Sequence, residues 1–217
     1  MKRIKCLKAA ILAAALSLQP LAALAATPAP SLSAADQADL ARVEEYLNSI
    51  RTVHGQFLQS AEGEVYAEGA FYIERPGKMR IQYATPNTLY MVASGSTLSI
   101  YDPRIKKASY VPVDATPAYY LFKDRVGFGD SIAASKLERG AASLRVTIYQ
   151  KDHPNDGRIT LVFSDKPLEL KKWKMIDHDG NEIDISLVNT EFNTKLDPNL
   201  FKFVDPSPTS EGAGSTH

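Results

Sequence analysis

Cysteine is almost missing from this 217-residue chain: the one present, Cys6, lies among basic residues at the amino terminus. Beyond it no thiol is available for a disulfide, for a thiolate metal site or for acylation of the mature chain. An excess of either charge is missing too. Lys and Arg number 25 against 25 Asp and Glu, so the chain lacks the bulk positive charge with which nucleic-acid binders neutralise phosphates, and a nucleic-acid partner is excluded as an expectation. The histidines His54, His153, His178 and His217 fall in no H-E-x-x-H or H-x-x-H spacing, so no metal site is expected. The acidic run that begins at Asp177 starts like a calcium loop, but its twelfth position holds Val188 where a bidentate glutamate is needed, which leaves a hairpin turn with exposed acids. Catalytic frames are equally scarce. Ser94-Gly95-Ser96 and Gly129-Asp130-Ser131 do not make a G-x-S-x-G elbow, and Gly127 and Gly129 lack the further glycine of a dinucleotide loop. No enzyme and no cofactor are expected.

Long apolar runs are absent except at the start. Lys2, Arg3, Lys5 and Lys8 form a basic head, residues 9–24 are almost wholly apolar, and Ala23-Leu24-Ala25 supplies the small residues a signal peptidase reads. Gln19 and Pro20 interrupt the stretch after about ten clean residues, whereas a membrane span needs about 20. Residues 1–25 therefore read as a cleaved export signal, with cleavage after Ala25 or one residue later. The 192 residues left carry 21 basic and 25 acidic side chains, a net charge of −4. Residues 26–31 read as a flexible linker and residues 206–217, which hold no large apolar side chain, as a disordered tail. Residues 32–205 are expected to form one domain.

Within that domain Ser33 and Asp36 form a capping pair, and Leu40, Val43, Leu47 and Ile50 recur at helical spacing, which predicts an amphipathic helix. The period then switches to two. Val53, Gly55, Phe57 and Gln59 alternate, followed by Gly69, Phe71 and Ile73, by Met79, Ile81 and Tyr83, and by Leu89, Met91 and Ala93. Further strands are read at Leu98 and Ile100 and over 106–111, 136–138, 143–150, 158–164, 168–177 and 182–190. Turn signals at Ser94-Gly95, Asp102-Pro103, Asp156-Gly157 and Asp179-Gly180 separate several of them. Thr116-Pro117 opens a short apolar helix over 118–124 in the middle of the series. The expected fold is mainly β with a helical lid: an unclosed, strongly curved antiparallel barrel of about eleven strands, covered by one long amino-terminal helix and short helices.

Arg75 is the odd residue. If alternation persists to the strand end, it shares a side with Phe71 and Ile73 and borders a dry face; if pairing has already stopped, it points to water. Periodicity leaves both open. The run Phe57-x-Gln59, Gly69-x-Phe71, Arg75-Pro76-Gly77-Lys78-Met79-Arg80, Tyr83-x-x-Pro86, Gly95-x-x-Leu98-x-x-Tyr101-Asp102 and Thr116-Pro117 resembles the periplasmic outer-membrane lipoprotein carriers of the LolA family, over Leu40 to about Phe203. It departs from that pattern at Ser94, where the family usually has Asp, and at Met79 and Ile81, often aromatic elsewhere.

The resemblance implies a monomeric periplasmic carrier whose apolar cavity shields lipoprotein acyl chains between an inner-membrane lipoprotein-releasing transporter and an outer-membrane receptor. It also implies that Arg75 contacts the lid. Alternation places Phe57, Phe71, Ile73, Met79, Ile81, Tyr83, Met91, Leu98 and Ile100 on the cavity face, with Tyr119, Leu121 and Phe122 from the short helix above it. Exposing one sixteen-carbon chain to water costs about 10 kcal/mol at about 0.8 per methylene, so such a cargo needs a shield and hand-over by contact. No phosphate-binding loop is present, so loading work must come from elsewhere. The alternative is a periplasmic lipid-binding or lipoprotein-sensing module with the same fold.

Overall fold

The computed structural model describes residues 32–206 apart from 62–63, 116–122 and 178. The export signal, the linker and all but the first residue of the tail lie outside the described residues, as does most of the short helix expected over 118–124. Its last two residues, Lys123 and Asp124, form a bend.

Helix α1 runs over Ala34–Ser49. It begins as the sequence predicts: the Asp36 amide donates to Ser33 Oγ at 3.1 Å while the Ser33 amide donates to Asp36 Oδ2 at 3.0 Å. Two amides that the helix itself cannot satisfy are thereby paired. The helix ends where Ile50 becomes extended, and its buried stripe is Leu40, Val43 and Leu47.

Eleven strands follow: β1 Thr52–Ala61, β2 Glu64–Glu74, β3 Lys78–Tyr83, β4 Tyr90–Ser94, β5 Thr97–Asp102, β6 Lys107–Pro112, β7 Ile132–Arg139, β8 Ser143–Gln150, β9 Gly157–Asp165, β10 Leu168–Asp177 and β11 Glu182–Phe192. They make one sheet in the order β6-β5-β4-β3-β2-β1-β11-β10-β9-β8-β7. Every neighbouring pair is antiparallel. The sheet is therefore the expected unclosed one, with β6 and β7 as its two edges. These edge strands are consecutive in the chain. Just past β6, Val113 packs on Met79, Ala93 and Leu98 at one side, and shortly before β7, Val126 packs with Val43 and Leu47 at the other.

Register gives the sheet one continuous apolar face, because residues opposite one another in neighbouring strands point the same way. Val111, Leu98, Ala93, Met79, Ile73, Val53 and Phe192 are successive partners across seven strands. Leu144, Phe163 and Leu170 continue the face toward β7. Helix α1 covers that second half: Leu40, Val43 and Leu47 pack with Leu144, Val146, Ile148, Ile159, Leu161 and Phe163, several of them wholly buried. Each of these burials stabilises the seat of the helix by roughly 1.5–3 kcal/mol. Ion pairs fix the amino-terminal half as well, from Arg139 to Asp36 at 2.8 Å and to Asp39 at 2.7 Å, and from Arg42 to Asp165 at 2.9 Å.

The opposite face, to which alternation in β3 turns Lys78, Arg80 and Gln82, is not uniformly wet. Past a 3₁₀ turn at Pro198–Phe201 the chain lies across β3 to β6. Arg80 donates to the Leu200 carbonyl at 3.3 Å, Tyr90 to that of Val204 at 3.0 Å and Tyr110 to Asp205 at 2.7 Å. The Phe203 ring sits 5.6 Å from that of Tyr90 and 5.9 Å from that of Tyr110. Val92 beneath this strap is almost fully buried.

Candidate binding cavity

Two glycine-phenylalanine pairs shape the centre of the apolar face. Gly55-x-Phe57 on β1 and Gly69-x-Phe71 on β2 are antiparallel, so Phe57 falls opposite Gly69 and Phe71 opposite Gly55. A Cβ on Gly69 would lie 2.7 Å from the Phe57 ring and 2.2 Å from the Gln82 carbonyl oxygen; one on Gly55 would lie 3.1 Å from the Phe71 ring. Each ring lies across the strand it faces because the residue there has no side chain. Phe57 also meets Tyr83 edge to face at 5.1 Å. Tyr83 in turn donates to Gln59 Oε1 at 2.6 Å, and Gln59 donates to the Tyr66 hydroxyl. Burial, and secondarily the charge of Tyr66, pushes the Tyr83 hydroxyl above the usual phenol range.

A cavity of about 100 Å³ lies under the carboxyl-terminal end of α1. Leu47 and Ile50 roof it, Val53, Phe71, Ile73, Met79 and Ile81 come from β1 to β3, and Leu170, Trp173, Leu187 and Phe192 come from β10 and β11. Strands β3 and β10 are four neighbours apart, about 19 Å on a flat sheet. Their sharing of so small a space requires the sheet to be curled. Of the residues expected on the cavity face, Phe71, Ile73, Met79 and Ile81 line this space. Phe57 and Tyr83 pack beside it with Phe71 and Ile185. Met91, Leu98 and Ile100 lie on the same face nearer the β6 edge, in the cluster closed by Val113. Tyr119, Leu121 and Phe122 lie outside the described residues.

The wall formed by Leu170, Trp173, Leu187 and Phe192 escaped the sequence reading. A bulge between Leu170 and Lys172 shifts the parity of β10, so strict alternation from Leu170 would have turned Lys172 and Lys174 inward in place of Trp173 and Met175. The usable signal was the lone tryptophan of the chain, flanked by lysines.

Among the described residues Arg75 is the one charged side chain of the lining, and it is only 7% exposed. Its backbone amide donates to the Arg51 carbonyl at 2.8 Å, so pairing outlasts the end of β2 and keeps Arg75 on the side of Phe71 and Ile73. The guanidinium reaches the end of the helix: Nε donates to the Lys123 carbonyl at 2.8 Å, and Nη1 donates to the carbonyls of Leu47 and, at 3.4 Å, of Ile50. The Leu47 carbonyl otherwise accepts only a long bond from the capping Ile50 amide, at 3.4 Å, and the negative end of the helix dipole favours a cation there. Burial above all, then the nearby positive charge of Arg51, holds the guanidinium below the usual arginine range, with Asp124 opposing. Asn48 adds a second tie, donating to the Val126 carbonyl and accepting from its amide, both at 2.9 Å.

Apart from Arg75 the space is lined by apolar side chains and lies against a helix end, which suits hydrocarbon. At about 100 Å³ it falls below the roughly 300–1,000 Å³ of ordinary ligand pockets, so a long chain can enter only if the walls of the space move apart. Among the described residues no group of three His, Cys, Asp or Glu side chains could hold a metal ion.

Residues 48–204 match the family model described as outer membrane lipoprotein carrier protein LolA. The outer-membrane lipoprotein carrier protein of Alkalilimnicola ehrlichii is 26% identical over 221 residues, covering 94% of this chain and 93% of its own. That of Methylococcus capsulatus is 25% identical over 184 residues, covering 81% and 88%. Among solved structures, an uncharacterized conserved protein from Thermus thermophilus superposes with a TM-score of 0.50 at 12% identity, over 80% of this chain and 96% of that one, a likeness of fold.

Proposed function

Since the chain belongs to the LolA family, we propose that it is a periplasmic carrier that takes the acyl chains of lipoproteins beneath α1 and shuttles them from an inner-membrane transporter to the outer membrane. The observation that carries this reading is the apolar space under the helix end, roofed by Leu47 and Ile50 and held by hydrogen bonds from Arg75. The protein works as a two-position container. Closed and empty, Arg75 holds the end of α1 against the curled sheet. Loaded, the helix end lifts, and hydrocarbon fills the space over Phe71, Ile73, Met79 and Ile81. The amino-terminal half of α1 stays seated on β8 to β10 by its core contacts and ion pairs. Because acyl chains cost about 0.8 kcal/mol per methylene in water, release proceeds by contact with a receptor whose own site is at least as favourable. Nothing in this cycle asks the carrier for a bond-making step, a metal or a nucleotide.

The reading is tested with Met79→Glu, which puts a carboxylate on the cavity floor, in a pull-down of an acylated lipoprotein. Retention should fall at least tenfold, since burying the charge or displacing the chain costs several kcal/mol. Retention at the wild-type level rejects the cavity as the acyl site.

A further inference from the structure

Arg75 carries five N–H donors, and among the described residues only those of Nε and Nη1 find acceptors. Nη2 is buried without a hydrogen-bond partner among the described residues, in a side chain that is itself more than nine-tenths buried and lines the apolar cavity. Its bonded partners are all carbonyls. The nearest carboxylate named above, Asp124, is engaged in an exposed pair with Arg51 at 3.2 Å. A donor left unpaired in a dry site is unfavourable and rare in folded proteins, and becomes favourable once an acceptor arrives.

Resting on the carrier reading of this cavity, we infer that Nη2 of Arg75 is a recognition point for an oxygen acceptor at the root of the bound hydrocarbon chain, so that the cavity selects acyl groups over other amphiphiles. The acceptor is a carbonyl oxygen of an acyl ester or amide, as on a lipidated protein, or the carboxylate of a free fatty acid. The same guanidinium then serves both states. In the empty state it bonds the carbonyls of Leu47 and Ile50. When the helix end lifts to admit a chain those bonds are withdrawn, and an acceptor carried in by the ligand replaces them. A chain without an acceptor enlarges the cavity but strands the cation, and a cationic head adds repulsion to it.

The experiment measures dissociation constants of lipid-stripped protein for palmitate, methyl palmitate, hexadecane and hexadecyltrimethylammonium by displacement of an apolar fluorophore. Wild type should bind methyl palmitate about tenfold or more tighter than hexadecane, and hexadecyltrimethylammonium more weakly still. Palmitate tighter than methyl palmitate points to free acids as the natural source, and equal affinity to acyl esters or amides; both support the acceptor. Arg75→Met, which keeps much of the length and loses every donor, should collapse these ratios toward one. A role in closing the helix end alone would instead change all four affinities by a common factor and leave the ratios intact, which overturns the inference. If wild type binds the four ligands alike, the inference falls while the acyl cavity stands; if it binds none, both fall. Should Arg75→Met not fold, the wild-type ratios still decide. So does the ¹³C signal of carboxyl-labelled palmitate, which should show the bound acid ionised at lower pH than in micelles; an unshifted titration overturns the claim.

Discussion

Replacing Arg75 by Leu should loosen one end of one helix and leave the rest of the molecule alone. The side chain makes three hydrogen bonds to carbonyls, two of them at the end of α1. A bond from a charged donor contributes about 1.5–3 kcal/mol. The guanidinium also loses hydration when buried, so the net latch is worth about one such bond rather than three, and its loss should raise the open population tenfold to a hundredfold. Opening exposes the amides of Tyr46 to Ile50, whose hydrogen exchange should speed by that factor. Residues in the amino-terminal half should keep wild-type exchange, because Arg139 still pairs with Asp36 and Asp39 and Arg42 with Asp165. Exchange unchanged at Tyr46 to Ile50 refutes the latch. A uniform rise over the whole chain also refutes it, since that would make Arg75 a general stabiliser of the fold.

Gly69→Ala should destabilise more than Gly55→Ala, because the new Cβ would meet a backbone oxygen at 2.2 Å rather than contacts of 3.0 Å or more; we expect about 2 kcal/mol or more for the first in a urea titration. The Asp36 carboxyl is held below its usual range by the Ser33 hydroxyl first and by Arg139 next. Its contribution is therefore complete above the unfolded value of 3.8 and lost as pH falls through the lower folded value, so melting temperature should drop in that window and Asp36→Asn should lessen the drop. Phe203→Ala removes the ring between Tyr90 and Tyr110 and should release residues 202–206 to limited proteolysis while the sheet stays folded. Cleavage at the wild-type rate would mean that the strap is held by its hydrogen bonds alone.

The strands were legible because each is half-buried: one side meets α1, Val113 or the cavity, and the alternation of Phe71, Ile73, Met79, Ile81 and Tyr83 records that side directly. Parity identified a face but not a cavity. The face spans the whole sheet, and the open space sits where the end of α1 overhangs it, a position set by distant contacts of Leu40 and Val43 with β8 and β9. Bulges hid Trp173, because one extra residue reverses every later assignment in a strand. Arg75 could not be placed by period alone; its side depends on a backbone bond to Arg51, beyond the last residue of the strand itself. The carboxyl-terminal strap left little trace, since Phe201, Phe203 and Val204 follow neither period and their partners lie about a hundred residues earlier.

Purifying the protein from a periplasmic extract of its host and identifying the molecules that leave with it tests the central claim most directly. A carrier should emerge in part as a one-to-one complex with acylated lipoproteins, and the complex should deliver its cargo to outer-membrane vesicles. Protein that carries no acylated partner, and that after stripping neither binds acyl chains nor takes up a lipidated protein, would contradict the account.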